Sequence, residues 1–453
     1  MTVEPATLTR PQAAKDSQPF VPTGSFRDDP ADFDYVEEEW FASGEADGHP
    51  YTTSVFVRRP RDAAKFSGTV VVEPLHAASA APVWIYTSTY LMRSGHAWAC
   101  VASQKSALEA FVKPSDEDRY ASLDIWSDAP AMEAGVGGVA VPRDPAAMQA
   151  RMEHMRRVNA LSTPILAQAG AAIAERAGPF ADLDVRDVIL AGHSQTGGVV
   201  TEYILNGHDA HRLADGSPVY HGFFPSGAPG VTFGPRDVPI VQVLSEGDIS
   251  DPNRPGREGR TYRREDGDEP GDRYRLYELA GVAHMGTRYP PYSDNAMWQN
   301  DPIGTAGAVP KNTPMNSLPH GELFSMGMHH LVQWVADGVT PPRADRIDVG
   351  SDGLFTKDEA GNSRGGVRCA QMDVPRLKYL ANPGFKDDGI TPAFGVVGVE
   401  EPLPKDTLAR LYENHADYVD RFNQRLDELI DQGWFLADDA EDSRNEAAKA
   451  EVP

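Results

Sequence analysis

The chain has 453 residues, room for one large domain with extensions or two modest ones, and 40% hydrophobic with 24% charged residues supports a packed core. Sixty-seven Asp and Glu against 42 Lys and Arg leave a formal net charge of −25, which repels nucleic acid and anionic membranes and removes both as expected partners. Two cysteines exclude a disulfide framework or a Cys-rich metal site, no run of about 18 apolar residues could cross a membrane, and MTVEPATLTRPQAAKDSQPF is no secretory signal, so a cytoplasmic protein is expected.

Residues 1–33 are polar, rich in Pro and Asp, and read as an arm. YTTSVFVRRP (51–60) is strand-like and ends at Pro60, and FSGTVVVEPL (66–75) is a β-branched run of the kind buried on both faces of a sheet. SAAPVWIYTSTYLMRSG (79–95) reads as a helix closed by Gly95, and HAWACVAS (96–103) as the next strand. This is the alternation that builds parallel sheets. Residues 104–145 break the rhythm and predict a loop-rich excursion. A helix is predicted from Pro145, rich in Ala, Met, Leu and Arg, and terminated at Gly178. Four compact apolar runs follow, at 185–194, 219–227, 238–248 and 274–284, and then a helix-spaced segment at 322–338. A polar, turn-rich stretch (350–368) and an amphipathic helix over 408–433 complete the chain, with fraying expected after Ala437. The pattern predicts an α/β class protein, a mostly parallel eight-stranded sheet flanked by helices. The core spans 34–340, with lid-like insertions at 104–145, 249–272 and 285–320, and an extension over 341–453 packs on it.

The chemistry concentrates in VILAGHSQTGG (188–198), a strand running into Gly-His-Ser-Gln-Thr-Gly and then into a plausible helix. A sharp strand-to-helix turn exposes Ser194 as a nucleophile, and the helix behind it offers N–H groups to a developing oxyanion. The place two residues after the serine, usually Gly, holds Thr196. Two strand ends further on stand acidic residues (SEGD, 245–248) and His284. Serine, acid, histidine in that chain order is the order of an α/β-hydrolase triad. His284 is the expected general base because imidazole titrates near working pH. Asp248, at the more usual acid position, is favoured to orient it, with the longer Glu246 as the alternative. Gln195 and the loop carrying His76 and Ala77 are the expected oxyanion donors. His193, Trp84, Tyr289 and Trp298 are candidates to line the substrate pocket.

The sequence resembles a little-characterised bacterial α/β-hydrolase family. The resemblance is carried by VRRP (57–60), GTVVVE (68–73), GHSQTG (192–197), SEGD (245–248), ELAGVAH (278–284), WVADGVTPP (334–342) and GNSRGGVR (361–368). It spans about residues 35–375 and implies a serine carboxylic-ester hydrolase with Ser194 and His284 in its triad. Pro74 and His76 stand where Trp and Asn are expected in much of that family. No Gly-rich phosphate loop is present, DGDEPGD (266–272) lacks EF-hand spacing, and His320, His329 and His330 read as packing histidines, so no cofactor or metal is expected. The expected partner is a small-molecule ester or lactone, and self-association is compatible with the chain. An acyltransferase using the same triad, or a non-catalytic ligand-binding protein of this fold, are the other readings.

Overall fold

The computed structural model describes residues 2–12, 17–22, 28–77, 81–126, 145–249, 263–288, 314–381 and 397–452. Strands β1 (Thr7–Thr9), β2 (Tyr35–Ala46), β3 (His49–Pro60), β4 (Thr69–Pro74), β5 (Ala97–Val101), β6 (Asp124–Ile125), β7 (Asp187–His193), β8 (Gly222–Ser226), β9 (Ile240–Ser245), β10 (Gly267–Glu269) and β11 (Asp272–Leu279) form one sheet. Its order is β1-β2-β3-β5-β4-β7-β8-β9-β11-β10, with β6 paired to β3. The central pairs from β5 through β4, β7, β8 and β9 to β11 are parallel. Among the described residues eleven strands replace the eight expected, because the short β1 and β10 are added at the two edges and the two-residue β6 pairs with β3. Every residue of β4 is buried, as its run of β-branched side chains predicts for a strand covered on both faces.

Four helices flank the sheet: α1 (Pro82–Arg93), α2 (Pro145–Ala174), α3 (Gln195–Glu202) and α4 (His320–Ala336). α1 packs on α4 and α2 on α3. The parallel strands all point their C-terminal ends to one edge. Leu75, Ser194, Glu246 and Ala280 follow β4, β7, β9 and β11 there, so the topology gathers the chemical segments before any side chain is considered. None of the helices among the described residues is long and apolar enough to cross a membrane.

Several expectations need correction. β2 is a full strand that VEEEWFASGEA conceals, since its charged residues interrupt the apolar alternation. Arg58, Arg59 and Arg10 pair with Glu37 and Glu38 along it. The signal that could have found it is Asp47-Gly48, both at positive φ (52° and 78°), the two-residue hairpin turn joining β2 to β3. The N-terminal arm is tied down through β1 and through Ala6 N–H to the Gln168 carbonyl (3.0 Å). Part of the supposed insertion 249–272 is the β10–β11 hairpin, whose acidic residues pair with arginines: Asp268 with Arg275 and Arg343, Asp266 with Arg346. Residues 127–144, 250–262 and 289–313, most of the predicted lid segments, lie outside the described residues. Cys100 and Cys369 are separate buried thiols.

The single helix expected over 408–433 is two, Lys405–Leu411 and α5 (His415–Asp431), because Asn414 caps the second by accepting the Asp417 N–H at 3.1 Å. The residues beyond Ala437 do not fray. They form α6 (Ala440–Lys449), which buries Ala440, Ser443 and Ala447. Asp439, 4% exposed, pairs with Arg93 at the end of α1. Removing one member of a buried ion pair leaves the other uncompensated, so Asp439→Ala is expected to cost about 2–3 kcal/mol, partly offset by Asp438 nearby. A lowered urea midpoint at constant m-value would show it, and an unchanged midpoint would refute it.

Candidate active site

The segment after β7 is a tight elbow. Ser194 sits at φ 58°, ψ −119°, a conformation costing a non-glycine residue about 1–3 kcal/mol and held only where the surroundings impose it. They do so on three sides. A Cβ on Gly192 would lie 2.4 Å from the Thr196 carbonyl oxygen, and one on Gly197 would lie 2.1 Å from that of Ser226. Thr196, where glycine is usual, closes the turn with its side chain: Oγ1 accepts the His193 N–H (3.0 Å) and donates to the His193 carbonyl (2.9 Å). Gly197, one residue later, provides the close approach to β8.

Ser194 Oγ lies 2.8 Å from His284 Nε2, and His284 Nδ1 meets Asp248 Oδ1. A carboxylate only accepts, so Nδ1 carries the proton and Nε2 is free to receive one from the serine. Asp248 is buried. Burial pushes its carboxyl up, but the interaction with His284, its hydrogen bond and that from Ser245 outweigh this and hold it below the ordinary carboxylate range. Its second oxygen accepts the Ser245 N–H (2.7 Å) and hydroxyl (2.8 Å). Of the two acids left open by the sequence, Asp248 faces the imidazole. Glu246 turns away, accepting the Gly281 N–H at 2.6 Å and pairing with Lys357 at 3.0 Å.

Gly247 completes SEGD. Its N–H donates to the Val282 carbonyl (2.9 Å), and a Cβ there would meet His284 N at 2.6 Å and the Ala283 carbonyl carbon at 3.1 Å. Backbone cannot swing aside as a side-chain end can. Gly247→Ala is therefore expected to displace His284 and lower kcat by about 100-fold, with the circular dichroism spectrum retained. Wild-type kcat in a folded variant would contradict this.

His193 lies behind the pair rather than in front of it. It is fully buried, stacks on the His284 ring (4.8 Å between centroids), and its Nε2–H donates to the His284 carbonyl at 3.1 Å. Its Nδ1 faces the Ser226 hydroxyl at 3.2 Å, and burial first, then His284, hold it well below the usual histidine range, so it is a neutral prop. Tyr86 on α1, which the sequence did not single out, packs edge-on against His193 and accepts the Gly286 N–H (3.2 Å), bracing the residues just past His284.

On the serine's other side, Ala77 N–H donates to Gln195 Oε1 (3.3 Å), and Gln195 Nε2 donates to Gln104 (2.8 Å), which reaches Asn159 at 3.3 Å. This amide chain fixes the loop after β4 against the start of α3. His76 is partly exposed there, and lost solvation and the His284 charge push it down to about 4. Glu73 anchors the same loop from below, accepting the Val83 and Trp84 N–H groups (2.8 and 3.0 Å) at the start of α1 and the Trp98 Nε1–H (3.0 Å). Trp84 is core: it is 0% exposed, against the Trp98 ring and under the Arg58 guanidinium. Tyr289 and Trp298 lie outside the described residues. Among the described residues no group of three or more His, Cys, Asp or Glu is placed to hold a metal ion.

Comparison with solved structures gives several distant similarities. LpqC, a poly(3-hydroxybutyrate) depolymerase from Bordetella parapertussis, is 13% identical, with 68% of this chain and 91% of that one covered and a TM-score of 0.29. A zinc-bound cold-adapted esterase from an Arctic intertidal metagenomic library is 11% identical over 56% and 89% of the two chains, with a TM-score of 0.28. The rice cell wall degrading esterase LipA from Xanthomonas oryzae is 13% identical over 49% and 50%, with a TM-score of 0.28. No curated protein matches the sequence. A family model described as "Alpha/beta hydrolase domain" matches residues 4–445, nearly the whole chain. With its helix-flanked, centrally parallel sheet and its strand-to-helix elbow, the chain belongs to that α/β hydrolase family.

Proposed function

We propose that this protein is a serine hydrolase that cleaves a carboxylic ester or lactone through an acyl-enzyme on Ser194. The observation that carries the reading is the hydrogen-bonded line from Ser194 Oγ through His284 to Asp248, built on an elbow whose backbone is held at positive φ. A serine hydroxyl attacks only as its proton leaves, and the nearest acceptor is His284 Nε2. The Oγ–carbon bond forms while the proton passes to Nε2. The resulting imidazolium is stabilised by Asp248, and the carbonyl oxygen becomes an oxyanion. The Gln195 N–H at the head of α3, where a helix's first donors have no intrahelical partner, is the donor proposed to receive it, with a second from the loop at His76; the Ala77 N–H, expected from the sequence to help, is instead turned to Gln195 Oε1 at 3.3 Å.

Breakdown returns the proton to the leaving alcohol as the ester C–O bond breaks. Water then repeats the sequence, with His284 taking its proton, and releases the acid with Ser194 restored. A spectrophotometric series of p-nitrophenyl esters from acetate to long chain, beside labelling with a fluorophosphonate, tests this. Turnover with labelling of one serine per chain is expected. A folded wild type that neither turns over any ester nor labels would move the assignment to ligand binding.

A further inference from the structure

Glu246 and Lys357 stand outside the proton path, yet they connect its two acidic and basic loops. Asp248 and His284 sit on separate strand-end loops, after β9 and β11. Glu246, buried and two residues before Asp248, reaches across to the Gly281 N–H (2.6 Å), three residues before His284. Gly247 N–H spans the same gap to the Val282 carbonyl at 2.9 Å. The Glu246 charge is met by Lys357, whose Nζ lies 3.0 Å from Oε1 and 2.6 Å from the Ser363 hydroxyl.

Lys357 comes from the C-terminal extension, and that segment is itself laced to the strand carrying His284. Val367 N–H donates to the Glu278 carbonyl (2.7 Å), Ala280 N–H donates to the Val367 carbonyl (3.0 Å), and Ile347 N–H donates to Glu278 Oε2 (2.8 Å). Arg368 holds the turn together through Asp358 (2.9 Å) and Asp373 (2.6 Å).

We infer that the Lys357–Glu246 pair is a positioning device, a cross-tie from the C-terminal extension that keeps the Asp248 and His284 loops in register. This rests on the proposed reaction for its kinetic readout, but its geometry does not depend on it. Without Lys357 the buried Glu246 carboxylate is left uncompensated, and the loop it ties to Gly281 shifts or opens. Asp248 and His284 then meet less well, although neither has been changed.

The experiment compares Lys357→Met, Lys357→Arg and the control Lys378→Met in the full chain. Lys378→Met removes the same charge from an exposed pair with Glu401. Lys357→Met is expected to lower kcat by about 10-fold with KM within two-fold, because misplacement at the reacting groups affects the transition state more than binding. Lys357→Arg should restore most of the rate, and Lys378→Met should match wild type. The acid limb of kcat/KM in Lys357→Met should move to lower pH, since a slackened Asp248 contact stabilises imidazolium less. Loss of a nearby cation alone would move it to higher pH, which would overturn the positioning role. So would unchanged kcat with lowered thermal stability.

The far-downfield proton resonance of the Asp248–His284 hydrogen bond gives a readout without turnover. It should shift upfield or broaden in Lys357→Met and recover in Lys357→Arg. An unperturbed resonance overturns the inference. A perturbed resonance in a protein that cleaves no ester leaves the cross-tie standing and removes the reaction.

Discussion

Ser194→Ala is expected to lower ester turnover by roughly 10⁴- to 10⁶-fold and to abolish fluorophosphonate labelling. Only the Oγ atom is lost, and with it the bond-forming atom and the proton that His284 receives across 2.8 Å. Residual rate would come from the oxyanion donors and from substrate binding, neither of which the substitution touches. The Ser194 backbone conformation is set by Gly192, Thr196 and Gly197, so the variant should fold. Its thermal midpoint should equal or slightly exceed that of wild type. Retention of more than a few per cent of wild-type kcat, in a preparation free of contaminating esterase, would mean that another residue is the nucleophile.

Asp248→Asn should produce the next largest loss, about 10⁴-fold in kcat. The amide can donate a hydrogen bond where the carboxylate only accepts, which favours the tautomer with Nε2 protonated and so removes the base that faces Ser194. Glu246→Gln should fall far short of that, because Glu246 contacts Gly281 N–H and Lys357 rather than the imidazole. Equal losses in the two variants would reverse the assignment of the acid.

The same pair makes a pH-dependent contribution to stability, and its sign follows from the depressed Asp248 carboxyl. Its ordinary value is 3.8, and His284 chiefly brings it lower against the opposing effect of burial. The stabilisation is therefore complete above the unfolded-state value and lost as pH falls through the depressed folded-state one. Thermal midpoints of wild type and Asp248→Asn, measured from pH 6 down to pH 2, should converge at the acid end. Parallel curves would show that the pair does not carry this dependence.

The elbow, the order of serine, acid and histidine, and the parallel core were legible in the sequence because they are local. A glycine before a serine at a strand end, an apolar run of four to eight residues and a helix closed by glycine each follow from backbone sterics and burial within a short window. Ser194 and His284 could be named from such windows. β2 could not be read from its own composition, since its glutamates are neutralised by arginines from β3 and from the N-terminal arm. The helix expected to run unbroken over 408–433 is interrupted by one Asn cap, which periodicity does not register.

What determines the site beyond its three principal residues is distance in space between residues far apart in the chain. The sequence by itself determined which strand ends carry a serine, an acid and a histidine, because turn chemistry and burial pattern are properties of adjacent residues. It set Asp248 only slightly ahead of Glu246, both acidic and two positions apart at one strand end. Only the tertiary structure separated them, by placing Gly281 and Lys357 against one and His284 against the other. It likewise took Trp84 into the core, set His193 behind His284 as a neutral support, and docked the C-terminal helix through Arg93 and Asp439. The physical reason is common to all of them. Hydrogen bonds and ion pairs act over about 3 Å, and which groups come that close is decided by how the strands, helices and C-terminal extension pack.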